Sequence, residues 1–82
     1  MKLKEYLRVN KIPQHKFALT VGRSQGYISQ VLSGRYILRG KVARQWSEAT
    51  AFLVTPHDLN AEDYPNLTDG IPPDRLSNVT AA

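Results

Sequence analysis

The sequence predicts an all-α fold, a small bundle of four to five helices. Three observations carry this: apolar residues recur at helical spacing almost to residue 53, proline, glycine and hydroxyl residues punctuate them where helices start and stop, and no stretch alternates as a strand would. Eighty-two residues leave room for one domain, and a chain this short buries only about 60–65% of the surface its unfolded form exposes. With no cysteine, disulfides and thiolate metal sites are excluded. Helix packing, helped by self-association, must then supply the stability.

Each element follows from local chemistry. Leu3, Tyr6 and Leu7 mark one face of a first helix over residues 2–10. Pro13 suits the first turn of a second, where its missing N–H costs nothing, and Phe17, Ala18 and Val21 face inward. Gly22 stands where that helix needs a left-handed terminator. Ser24 is placed to cap a third helix over residues 24–33, with Ile28, Val31 and Leu32 on its buried face and Gly34 ending it. Residues 35–40 read as a basic connection anchored by Ile37 and Leu38. A fourth helix is expected over residues 41–53, burying Val42, Trp46, Ala49 and Leu53, which share one helical face. Thr55-Pro56 reads as a cap followed by proline, starting one more turn over residues 57–60.

Composition changes after residue 60. Residues 1–60 hold ten of the eleven Lys/Arg against three acids, a net +7, whereas residues 61–82 hold Arg75 against four acids, a net −3. The expected division is therefore a basic domain, 1–60, followed by a Pro/Asp-rich C-terminal tail, 61–82, partly disordered, most of all over residues 77–82. Tyr64, Leu67 and Ile71 are the side chains available to pin its first part to the fourth helix near Trp46 or across a dimer interface. A basic body is the electrostatic footprint of a polyanion binder. No apolar run approaches the ~18 residues of a membrane span, and the first residues lack the apolar stretch of a signal peptide. The expected location is the cytoplasm, on the nucleoid.

Gln14, Ala18, Gly22, Ser24, Ile28, Ser29, Val31 and Gly34 stand at fixed spacing. Two short helices crossing steeply around a tight turn need a small residue where they approach, here Ala18, and a positive φ in the turn, here Gly22. At these residues the chain resembles the helix-turn-helix domains of phage Cro and CI repressors, the lambda-repressor-like DNA-binding domains. Residues 26–34 and 54–60 look like the Cro-like proteins grouped as YdaS, which sit in prophage regulatory regions, some of them labelled antitoxins. One departure is Arg23, at a turn position that is usually apolar in the family.

The resemblance implies a sequence-specific transcriptional regulator, a Cro-like repressor binding a palindromic double-stranded operator as a homodimer, at least on DNA. Gln25, Gly26, Tyr27, Ser29 and Gln30 would then occupy base-reading positions, a glutamine amide on an adenine edge being worth about 1–3 kcal/mol of discrimination. Gln14, Arg23, Ser24, Arg35, Tyr36, Arg39 and Lys41 would contact phosphates. Gly26 and Tyr27 also have structural readings, in a helix turn and at the core edge; for Arg35, Arg39 and Lys41 the other reading is a solvated loop, but their place beside the third helix favours phosphate. The alternative function is an antitoxin-type module whose acidic tail covers a toxin partner while the protein autoregulates its operon. Nothing suggests catalysis: no Ser-His-Asp grouping, phosphate loop or His/acid metal motif occurs, and His15 and His57 are isolated. No cofactor, metal, small-molecule substrate or membrane is expected.

Overall fold

The computed structural model describes residues 1–75, in which five α-helices and one 3₁₀ turn follow in order and no strand occurs: α1 Leu3–Val9, α2 Gln14–Val21, α3 Gln25–Leu32, α4 Gly40–Ala49 and α5 Pro56–Leu59, then Pro73–Arg75. The expectation for residues 77–82 lies outside the described residues.

Pro13 stands just before α2 rather than in its first turn, with extended φ/ψ of −68° and 153°. Its carbonyl accepts from Lys16 N–H and Phe17 N–H, so it opens the helix without belonging to it. Ser24 caps α3, its hydroxyl oxygen accepting from the Tyr27 N–H at 3.2 Å. Thr55 and Asp58 form a reciprocal capping box on α5, with Pro56 at its first position.

The four longer helices end in the same way. After α1, α2, α3 and α4 a left-handed residue follows, Lys11, Gly22, Gly34 and Ala51 respectively. In each case its N–H bonds three residues back and the next N–H bonds five back, as in Lys11 to Arg8 with Ile12 to Leu7, or Gly34 to Val31 with Arg35 to Gln30. Glycine marks only two of these ends. The other two place a Cβ in the left-handed region, which costs roughly 1–2 kcal/mol per residue.

That geometry corrects the reading of α4. The helix stops at Ala49 because Ala51 and Phe52 both take positive φ, 55° and 62°. Its buried face is Ala43, Trp46, Ser47 and Thr50; Val42 is only half-buried, Ala49 is exposed and Leu53 is 42% exposed. The polar pair goes inside because its hydroxyls are satisfied there. Ser47 donates to the Val54 carbonyl, and Thr50 donates to the Ser47 carbonyl while accepting from the Val54 N–H.

The core gathers Leu3 and Leu7 of α1, Phe17 and Ala18 of α2, Ile28 of α3, Ala43 and Trp46 of α4, and the loop residues Leu38 and Val54. Trp46 is its centre, meeting Phe17 edge-on at 5.7 Å. Ile37 is not the anchor expected of it: Leu38 is buried, whereas Ile37 is 52% exposed.

Residues 61–75 fold back on the basic body. Buried Asn60 organises the turn, donating to the Leu38 carbonyl and to the Asp63 carboxylate while accepting from the N–H groups of Glu62 and Asp63. Tyr64 pins the segment to α4: it packs against the core cluster that contains Trp46 and donates its hydroxyl to the Gly40 carbonyl at the start of the helix. Ile71 closes a small second cluster with Phe52, while Leu67 is exposed and pins nothing.

Candidate nucleic-acid interface

The site is built on α3 and its surroundings. Successive residues advance about 100° around a helix. With fully buried Ile28 facing the core, Gly26, Ser29, Gln30 and Ser33 fall on the outward side, Gln25 and Ser29 towards one flank and Tyr27 on the other. Gln25, Gly26, Ser29 and Ser33 are exposed and Gln30 is half-buried. The helix carries no charged side chain, so its outward face is glutamine amides, hydroxyls and bare backbone.

Gly26 differs from the other glycines. Gly22, Gly34, Gly40 and Gly70 all have positive φ, which explains them conformationally. Gly26 does not, and a Cβ there would meet only the Ser24 hydroxyl oxygen at an ordinary 3.9 Å. Nothing within the fold requires it to be glycine.

Tyr27 is partly built into the core. Its half-buried ring meets Trp46 edge-on at 5.9 Å and tilts against Tyr36 at 5.4 Å. The Arg23 guanidinium lies over it, 5.3 Å from the centroid, a cation–π arrangement that draws the side chain towards α3. The departure at Arg23 therefore has a structural counterpart: the residue after the turn glycine packs on the first turn of the next helix.

Shallow hollows border α3: one along Val31 and Leu32 combines Lys2 and Lys4 with Asp58, and two lie beside its outward face. Tyr27, Arg35, Tyr36, Ile37 and Arg39 line one of about 440 Å³. Lys4, Arg8, Gln14, Ser29 and Ser33, with apolar residues of α1 and α3 beneath, line one of about 430 Å³ on the other flank. Neither lining includes an acid. The residues expected to bind phosphate are thus divided. Arg35, Tyr36 and Arg39 come together, Arg23 sits on Tyr27, Gln14 joins the opposite flank, and Lys41, exposed on α4, lines neither hollow. Arg39 is also engaged, 3.3 Å from the Glu62 carboxylate and 3.9 Å from that of Asp63. Both partners of the closer pair are largely exposed, so the contact is weak and exchangeable.

Sequence reasoning missed Lys4 and Arg8. Their signal was present: one helical turn apart, each following a buried leucine of α1, they fall on one shoulder of that helix. Only packing shows that this shoulder borders α3. A surface hollow of about 840 Å³ lies elsewhere, between α4 and residues 70–74, and mixes Arg44 with Glu48 and Asp74. Among the described residues no three His, Cys, Asp or Glu come together to hold a metal ion. His57 has a structural role, its Nδ1 2.8 Å from the Tyr64 carbonyl. No helix among them is long and apolar enough to cross a membrane.

Comparison with protein-family models, curated proteins and solved structures finds no match to this chain.

Proposed function

We propose that this chain is a sequence-specific double-stranded-DNA-binding regulator in which α2, the turn Gly22–Ser24 and α3 act as a helix-turn-helix, with α3 entering the major groove. The observation that carries this reading is the outward face of α3: exposed amide and hydroxyl side chains around a glycine the fold does not need, between two acid-free hollows bearing cations. A glutamine amide offers the donor and acceptor an adenine edge requires, and a missing Cβ lets a base edge or thymine methyl come close. The resemblance to Cro and CI repressors points the same way and suggests repression of a phage or prophage promoter.

One reading helix of eight residues spans about 12 Å, too short for high specificity alone. Two copies on a palindrome, with half-site centres roughly 34 Å apart, would supply it. The antitoxin alternative rested on a free acidic tail. Asp63 instead accepts from the Gly40 N–H, while Glu62 stays exposed in a weak contact with Arg39, so one of the four acids is tied to the body of the protein.

Footprinting on the DNA flanking its own gene tests the reading. Protection of a palindromic site is expected, saturating at two chains. Gln25→Ala and Gln30→Ala should each cost about 1–3 kcal/mol on that site and little on random duplex. Equal losses on both DNAs would sink base reading by these residues.

A further inference from the structure

We infer that Lys4 and Arg8 of α1 form a second phosphate-binding rim, opposite the Arg35 side of α3. This rests on the DNA-binding reading above and assigns residues to it that the sequence did not indicate. Tyr27 and Ser29 lie on opposite flanks of α3, each about 100° from buried Ile28 around the helix. Tyr27 lines the hollow that holds Arg35, Ser29 the one that holds Lys4 and Arg8. The outward face of α3 is thus bordered by cations on both sides.

Duplex DNA has the complementary shape. Its major groove is about 12 Å wide, near the width of a helix with its side chains, and each wall is a phosphate strand. A protein with cations on one flank meets one wall; this chain has them on both. Lys4 and Arg8 share a shoulder of α1 beside buried Leu3 and Leu7; Glu5, the acid of that helix, sits about 60° beyond Arg8 around the helix and does not line the hollow. Gln14, at the start of α2, and Ser29 and Ser33 add uncharged hydrogen-bonding groups to the same hollow. The occupant this chemistry selects is a sugar-phosphate strand of duplex DNA, the strand facing the one that Arg35 meets.

The test uses the full chain and a 20-base-pair duplex of mixed sequence, reading the slope of log affinity against log salt. Each lost phosphate contact should flatten that slope by about 0.9. Lys4→Gln and Arg8→Gln should each do so, and the double variant should flatten it by about 1.8. Exchanging the cations, Lys4→Arg with Arg8→Lys, should preserve the slope. Arg44→Gln removes the same charge from α4, beside Glu48, and should leave the slope as in the unaltered protein. Slopes for Lys4→Gln and Arg8→Gln equal to that of Arg44→Gln would overturn the second rim. If Arg35→Gln still flattened the slope in that case, the DNA-binding reading would stand without it. An unaltered chain with no salt-dependent affinity for duplex would overturn both.

Discussion

The Arg23 guanidinium lies 5.3 Å over the Tyr27 ring, and the same ring leans on Trp46 at 5.9 Å. Tyr27 therefore joins a core aromatic to a surface cation at the first turn of α3. Shortening it should loosen that turn as well as any contact it makes. Tyr27→Ala is expected to cost about 2 kcal/mol, less than the ~3–5 of a fully buried aromatic, lowering the melting temperature by about 8–16 °C. Tyr27→Phe keeps the ring stack and should melt within a few degrees of the unaltered protein (about 2 °C). Paired melting and operator titration separate the roles: weaker binding by Tyr27→Phe at unchanged stability assigns the hydroxyl to DNA, and unchanged binding assigns the ring to packing alone.

Gly26 offers a change in which stability and function move in opposite directions. Its Cβ position is open and its φ is not positive, so Gly26→Ala should stabilise the helix by up to about 1 kcal/mol. The same methyl group would stand between α3 and a base edge. A higher melting temperature with weaker operator affinity is the expected pair of results. Affinity unchanged or improved would remove Gly26 from the reading face.

Lys11 and Ala51 carry left-handed strain at φ 54° and 55°. Lys11→Gly and Ala51→Gly should each stabilise the fold by roughly 0.5–1 kcal/mol, relief of the Cβ clash exceeding the extra entropy of the unfolded chain. Gly22→Ala, at φ 72°, should destabilise by a similar or larger amount, about 1 kcal/mol or more. Denaturant melts of the three variants check this, and opposite signs at Lys11 or Ala51 would mean those ends relax out of the left-handed region.

Asp58 gives the fold an acid-sensitive contact. Burial by itself raises its carboxyl pKa, but hydrogen bonds from the N-terminal ammonium and from Thr55 outweigh this, and the net shift is downward. A folded pKa below the unfolded value, about 3.9, contributes stability that is complete above that value and lost as pH falls through the folded one. Asp58→Asn should therefore melt lower than the unaltered protein at pH 7, with the difference closing below about pH 4. A gap that persists undiminished at pH 2 would assign its effect to capping geometry rather than charge.

Much of the bundle was legible because its signals are local. Gly22 and Gly34 mark helix ends that need positive φ, Ser24 and Thr55 accept from the N–H three residues on, and Ile28 falls on the buried face its spacing implies. The end of α4 was not legible. Its terminator is Ala51, a residue with no preference for left-handed φ, and its buried face includes Ser47 and Thr50, which hydropathy places outside.

The sequence by itself determined the all-helical character of the described residues, the positions of most helix starts and ends, and a surplus of cations before residue 61. Each depends on a residue and its neighbours within a turn, or on simple summation. Tertiary structure alone decided which cations border α3. It brought Lys4 and Arg8 from α1 to one flank and tied Arg39 to Glu62, 23 residues further along the chain. It also turned an apparently separate acidic segment into the contact that holds the Gly40 N–H through Asp63. Such pairings are set by how helices cross and where loops return, and charge or periodicity along a chain carries no record of those distances.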